Sequence, residues 1–272
     1  MSATGTLPAA RASADRRSRA RKVFDWCRVM TGFAVYGALG LVVIAGCLAL
    51  AAGVRDRARR RLLCQGLIHR AVRIYAWYTE AVGIFRVEFP EIDRLRAARG
   101  TIFAPNHATL MDATHFLARL PRLVCVMKKG VAANPFMGVS SALAGYLPMG
   151  EGTEFVRRGR DALRAGDNLL MFPEGTRTVE PPVNRFKGGF ALMASLAGAP
   201  VQTVFIETPA LFMGKRWPLW KTPPLPLPIR LTLGETFRVP AGQSVKAFGA
   251  ELEAYFRRKL MATEGGGVER RA

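Results

Sequence analysis

The chain is poor in cysteine, histidine and acidic residues. Its four cysteines, Cys27, Cys47, Cys64 and Cys125, stand far apart with no Cys-x2-Cys pair. That excludes a zinc framework and a disulfide scaffold, and it suits a reducing compartment. Of three histidines, His107 and His115 lie near Asp112, yet no fourth ligand or second carboxylate stands close in sequence, so no metal is expected. There is no Gly-x-Ser-x-Gly elbow, hence no serine nucleophile of that kind. No internal repeat is found. Acidic residues number 20 against 40 basic ones, for a formal charge of +20. Such an excess favours an anionic partner: nucleic acid, an anionic membrane surface or an acidic substrate. The basic residues crowd around one apolar segment and no RNA-stacking aromatic motif accompanies them, so nucleic acid is set aside.

That apolar segment, residues 31–54, carries no charge and is long enough to cross a bilayer. It lies too far from the start, and runs too long, for a cleaved signal peptide. Arg16, Arg17, Arg19, Arg21, Lys22 and Arg28 precede it; Arg55, Arg57, Arg59, Arg60 and Arg61 follow. Both flanks are of the kind that stays in the cytoplasm, and Gly37, Gly40, Gly46 and Gly53 offer places to bend. A re-entrant or single-leaflet insertion is therefore favoured over a straight span. Residues 57–82 read as a basic amphipathic helix, with Leu63, Leu67, Ile74 and Tyr78 near one face and Arg59, Arg70, Arg73 and Trp77 near another. It suits a membrane surface, with His69 at headgroup level, or an ordinary packed helix.

The organisation reads as a disordered basic tail at 1–22, a membrane anchor at 23–82, a folded domain at 83–262 and a tail at 263–272. Within the domain, strands are expected at 84–89, 101–104, 123–127, 168–172, 201–206 and 229–233. Helices are expected at about 109–119, 135–145, 154–165, 187–197 and 244–262. This alternation gives an α/β fold with a mixed sheet flanked by helices and an N-terminal helical anchor. Five prolines between Trp217 and Pro228 forbid a regular helix or central strand there. Its two tryptophans point either to an interfacial contact or to a rigid surface loop with the rings buried.

Chemistry concentrates in two blocks. In Asn106-His107-Ala108-Thr109-Leu110-Met111-Asp112, the histidine falls in a strand-to-helix loop and the aspartate in the first turns of a helix, with Asn106 and Thr109 as caps. The carboxylate can then accept the proton on one imidazole nitrogen and leave the other facing outward as a base. In Phe172-Pro173-Glu174-Gly175-Thr176-Arg177, a strand runs into a loop that presents charge at a sheet edge, with Glu174 and Arg177 free to pair with each other.

Together the blocks resemble the first and third motifs of the glycerolipid acyltransferase family, whose best-known bacterial members acylate 1-acyl-glycerol-3-phosphate. Lys128-Lys129-Gly130 with Asn134-Pro135-Phe136-x-Gly138 is similar to the second motif. Phe186-Lys187-Gly188-Gly189-Phe190 resembles the segment after the third, and Ala199-Pro200-Val201 the fourth. The resemblance covers about residues 80 to 240. It implies a membrane-bound O-acyltransferase with His107 as general base and Asp112 fixing its tautomer. Glu174, Gly175, Thr176, Arg177, Lys128, Lys129 and Lys187 would bind substrate. Arg177 would grip an anionic acceptor group, with Glu174 orienting it or binding an acceptor hydroxyl, and Gly188-Gly189 would open a helix whose amides add to an anion site. No cofactor is implied, only acyl-coenzyme A or acyl carrier protein as co-substrate and a lysolipid as acceptor, at the cytoplasmic face of the inner membrane. One departure stands out. Where the family's second motif ends in an acidic residue and an arginine, this chain reads Tyr146-Leu147-Pro148-Met149-Gly150-Glu151-Gly152. That keeps open another acceptor, such as lyso-ornithine lipid.

Overall fold

Ser18 starts the first helix, its hydroxyl accepting from the Arg21 amide at 3.2 Å. The computed structural model describes residues 17–150, 152–210, 212–215, 217–218 and 221–269, with side chains as far as residue 262. Residues 1–16 of the expected tail lie outside the described residues, but the rest of that tail is structured. The helix α1 (Arg19–Gly53) begins inside it. Arg17, Arg21 and Arg28 surround the fully buried Asp25 at 2.5, 3.3 and 3.2 Å. Arg17 also donates to the carbonyls of Thr222 and Pro223 at 2.6 and 2.9 Å. The basic stretch is thus ordered by one buried carboxylate, which would be costly without such partners.

α1 is one unbroken helix of 35 residues, about 50 Å long at 1.5 Å per residue. Two of its glycines seat other side chains: the Phe136 ring occupies the space of a Gly40 Cβ, and Leu67 packs against Gly46. Asp56 caps the returning helix α2 (Arg57–Ala81) through the Ala58 amide at 2.8 Å. The two form an antiparallel hairpin, with Tyr78 donating to Thr31 at 2.8 Å and the Tyr36 and Tyr75 rings 5.1 Å apart.

The hairpin lies across the domain. Arg61 grips Asp167 with two bonds of 2.7 and 2.9 Å, Gln65 donates to the Ala144 carbonyl at 2.9 Å, and Arg28 bonds to the Gly83 carbonyl. His69 meets the Leu117 carbonyl at 2.7 Å, a contact within the protein and not the headgroup position expected for it. The packed face of α2 carries Cys64, Gln65, Ile68, Ala71, Tyr75 and Thr79. Leu63 and Ile74 are exposed beside Trp77. Cys64, Ala71 and Thr79 share this packed face with the larger Ile68 and Tyr75, while other large apolar side chains of the helix face outward. α1 does the same with Leu41, Val42 and Leu48. Only 11% of its most apolar stretch is buried, and it is long and apolar enough to cross a membrane.

The domain follows as β1 (Phe85–Glu88), α3 (Ile92–Arg96), β2 (Ile102–Pro105), α4 (Asp112–Leu117), β3 (Leu123–Lys128), α5 (Lys129–Ala132), α6 (Pro135–Leu143), β4 (Leu147–Met149), α7 (Thr153–Arg164), β5 (Asn168–Leu170), α8 (Gly189–Ala197), β6 (Val201–Glu207), β7 (Leu227–Phe237) and α9 (Val245–Glu269). The strands order as β1-β7-β6-β2-β5-β3-β4. Every pairing is parallel except β6 with β7. The central strands are buried on both faces and so read as continuous apolar runs. Phe103 and Leu170 join Phe116, Cys47 and Cys64 beneath the hairpin. Their neighbours Ile102 and Leu169 join Phe190, Met193 and Phe256 under α8 and α9.

Three differences from the sequence reading have simple causes. β4 went unread because it is short and contains Pro148, which an edge strand tolerates. β7 starts at Leu227 and takes in Pro228, beside the edge strand β1. The last helix runs to Glu269, past the boundary set at 262, and residues 270–272 lie outside the described ones. In the proline-rich segment, Trp217 packs on Phe212 with centroids 5.7 Å apart, so its ring turns into the domain; Trp220 is outside the described residues.

Candidate active site

β2 delivers His107 to the edge of the sheet. Asn106 does not cap a helix: its amide donates to the Ile206 carbonyl at 3.0 Å and accepts from the Ile206 amide at 2.7 Å, tying the end of β2 to β6. α4 is instead preceded by a turn in which the Thr109 hydroxyl accepts from the Met111 amide at 3.2 Å. Asp112, the first residue of α4, is fully buried. One of its oxygens lies 2.9 Å from His107 Nδ1 and 2.8 Å from the Thr109 amide, and the other accepts from the Thr109 hydroxyl at 2.6 Å. The imidazole also stacks on Phe172, centroids 4.0 Å apart. With Nδ1 bound to the carboxylate, Nε2 is the ring nitrogen left to act. His107 lines an apolar cavity of about 540 Å³.

The hairpin supplies much of that cavity's wall through Phe33, Tyr36, Val43 and Tyr75, and the domain adds Phe136 and Tyr146. Lys128, Met149, Phe172 and Gly175 line both this cavity and a second, open cleft of about 1150 Å³. That cleft holds Lys128, Lys129, Thr176, Lys187 and Lys215, with Gly189 at the start of α8. Partial burial, followed by the charges of Lys215, Arg177 and Lys187, pushes the Lys128 pKa below its ordinary value. Gly175 has a positive φ of 65°, and a Cβ there would meet the Lys187 stem 2.8 Å away. Glycine is required at this crossing on both counts.

Of the residues singled out in sequence, the structure brings together His107, Asp112, Gly175, Thr176, Arg177, Lys128, Lys129 and Lys187. Glu174 is the exception. It is buried and lines neither cavity. One oxygen accepts from the His107 amide at 2.8 Å, the other from the Asn184 amide at 2.8 Å, and both from the Thr178 hydroxyl at 2.9 Å. Burial raises its pKa and these bonds oppose the rise. With its lone pairs occupied, it neither pairs with Arg177 nor reaches an acceptor hydroxyl. It holds the backbone of His107, and the Thr178 amide completes the tie by donating to the His107 carbonyl at 2.7 Å. Arg177 lines the apolar cavity but gives one N–H to the Met213 carbonyl at 2.6 Å. Phe172, the platform for the imidazole, had a signal in its place within the third block. The hairpin wall and the 208–215 loop had none.

His115 is fully buried, edge-on to Phe85 at 5.9 Å, and its Nε2 has no hydrogen-bond partner. Burial, partly offset by Asp112, pushes its pKa down to about 4 from an ordinary 6.5. The unfolded chain therefore binds a proton between those values that the folded one refuses. Stability is complete above pH 6.5 and falls as pH drops toward 4. His115→Phe should flatten that part of the profile. Melting temperatures of both proteins in detergent at pH 7 and pH 5 check this, and equal acid losses would acquit the histidine. Among the described residues no group of three metal-ligating side chains gathers.

Residues 86–207 match the acyltransferase family model. The segment is similar to acyltransferase domains. The matched segment holds the histidine, both blocks and Lys187, and stops short of the 208–215 loop. The chain is 34% identical over 117 residues to a lyso-ornithine lipid O-acyltransferase of Pseudomonas aeruginosa, covering 39% of this chain and 42% of that one. It is 27% identical over 169 residues to a 1-acyl-sn-glycerol-3-phosphate acyltransferase of the same organism, covering 60% and 62%. Thus it spans less than two thirds of the length of these relatives. Its fold is similar to that of the 1-acyl-sn-glycerophosphate (LPA) acyltransferase PlsC from Thermotoga maritima, with a TM-score of 0.67, 18% identity, and coverage of 90% of this chain and 97% of that one.

Proposed function

We propose that this chain transfers a fatty acyl group from an acyl thioester, coenzyme A or acyl carrier protein, to the hydroxyl of a lysolipid, with 1-acyl-glycerol-3-phosphate as acceptor and phosphatidate as product. The observation that carries this reading is a histidine–aspartate pair opening on an apolar cavity that meets a lysine-rich cleft. The cavity suits an acyl chain and the cleft a phosphate. His107 Nε2 takes the proton of the acceptor hydroxyl as its oxygen attacks the thioester carbonyl. Asp112 holds Nδ1 protonated and stabilises the imidazolium. The tetrahedral intermediate then collapses, the C–S bond breaks, and the imidazolium returns the proton to the departing thiolate. No covalent acyl-enzyme is required.

The hairpin is the membrane attachment in this reading. Both of its ends are tied to the domain, its outer face carries Leu41, Val42, Leu48, Ile74 and Trp77, and arginines flank its apolar segment, residues 31–54, on both sides. Insertion into one leaflet at the cytoplasmic face fits these features.

A second acceptor, lyso-ornithine lipid, is favoured by the missing second-motif arginine and by the name of one relative. Membranes containing the protein, a labelled acyl-coenzyme A or acyl carrier protein, and a panel of lysolipids with and without phosphate decide between them. Product from 1-acyl-glycerol-3-phosphate is expected. Product from phosphate-free acceptors alone would reassign the acceptor.

A further inference from the structure

Resting on that reading, we infer that Lys215 contacts the acceptor phosphate from outside the second motif, which here ends without its arginine. The position usually held by arginine falls in Tyr146–Gly152, where no cation stands. Lys215 reaches the same cleft from another element, the loop between β6 and β7. Phe212 and Met213 are buried beneath this loop, and Met213 adopts a left-handed φ of 56°. A non-glycine residue holds that conformation only where its surroundings impose it. Arg177 imposes it through its bond to the Met213 carbonyl, and Trp217 closes the turn onto the Gly214 carbonyl at 3.1 Å. The exposed Lys215 thus rises from a pinned turn beside Lys128 and Lys187.

Charge is distributed unevenly along the cleft. At its outer end Arg157 is paired with Glu154 at 2.9 Å and Arg160 with Asp161 at 2.7 Å. At the inner end, where the cleft meets the apolar cavity, no carboxylate pairs with Lys128, Lys187 or Lys215 among the described residues. The Lys128 ammonium donates to the Thr176 hydroxyl at 2.8 Å. Three ammonium groups without a carboxylate partner among the described residues, with the Thr176 hydroxyl beside Lys128, fit a phosphate dianion, which lysine binds as a point charge without needing a planar partner. The inner end also selects the acceptor over the donor. The acceptor's phosphate lies a short glycerol carbon chain from the reacting hydroxyl, whereas the donor's phosphates stand a whole pantetheine arm from the thioester.

The test compares wild type, Lys215→Met and Lys215→Arg, purified as the full chain in detergent. It reads apparent KM for 1-acyl-glycerol-3-phosphate, KM for the donor, and calorimetric binding of glycerol 3-phosphate. Lys215→Met should raise the acceptor KM and weaken glycerol 3-phosphate binding by about tenfold, the loss of one charged contact. The effect on kcat should be much smaller. Lys215→Arg should recover most of both. Unchanged acceptor KM and unchanged glycerol 3-phosphate binding overturn the assignment, as does a rise confined to the donor KM. If wild type acylates only phosphate-free lysolipids, the acceptor reading fails separately. Glycerol 3-phosphate binding then still judges Lys215: weakening by Lys215→Met upholds the anion site, and absent or unaltered binding ends it.

Discussion

His107→Ala should abolish acyl transfer while leaving the protein folded and in the membrane fraction. A positioned general base contributes about 10²- to 10⁴-fold to a proton transfer, and among the described residues no second histidine and no carboxylate lines the apolar cavity. The fold should survive because the ring is not what ties the two blocks together. The bonds of His107 to Glu174 and Thr178 are made by its backbone amide and carbonyl, which alanine keeps. The lost contacts are the stacking on Phe172 and one hydrogen bond to Asp112, a carboxylate that retains two bonds to Thr109. Turnover of a labelled acyl thioester, measured with the melting temperature of the same preparation, separates chemistry from folding. Near-normal turnover in the alanine variant would remove His107 from the mechanism.

Glu174→Gln should do the reverse, damaging the fold first. Each carboxylate oxygen accepts a backbone amide, His107 on one side and Asn184 on the other. A carboxamide has one acceptor oxygen and one donor NH2. Whichever way it turns, one buried amide faces another donor. An unmet buried donor costs about 1–3 kcal/mol, or about 5 °C of melting temperature for a chain of this size. Activity should fall with it, because the His107 backbone loses its anchor. A substrate-binding role predicts the opposite pattern, a raised acceptor KM on an unshifted melting curve, and that result would sink the structural assignment.

The difference between these residues shows what one sequence discloses. The His107–Asp112 pair was legible because the two residues are close along the chain and their contact is local. The third block was legible as a position, but which side chain faces substrate was not. Sequence proximity made Glu174 and Arg177 look like partners, while the fold turned one inward to the His107 backbone and the other outward to the Met213 carbonyl. The central strands announced themselves because burial on both faces leaves uninterrupted apolar runs, and β4 stayed hidden because three residues with a proline carry no pattern. The faces of α2 were misread because the packed side holds Cys64, Ala71 and Thr79, small residues with weak hydropathy. Lys215 was invisible for a different reason: its neighbours come from β3, the third block and the start of α8, and only tertiary structure collects them.

Tyr36 and Tyr75, which join the two helices of the hairpin, also face the apolar cavity. On the proposed reading, the part that attaches this protein to a bilayer is therefore also a wall of the cavity in which His107 acts. A cut at residue 82 would remove Phe33, Tyr36, Val43 and Tyr75 from that wall and leave the cavity open along one side. On the same reading, a change in the hairpin that retunes attachment to a bilayer also reshapes the space offered to the fatty chain. Habitat and substrate preference are coupled here through the same few aromatic rings.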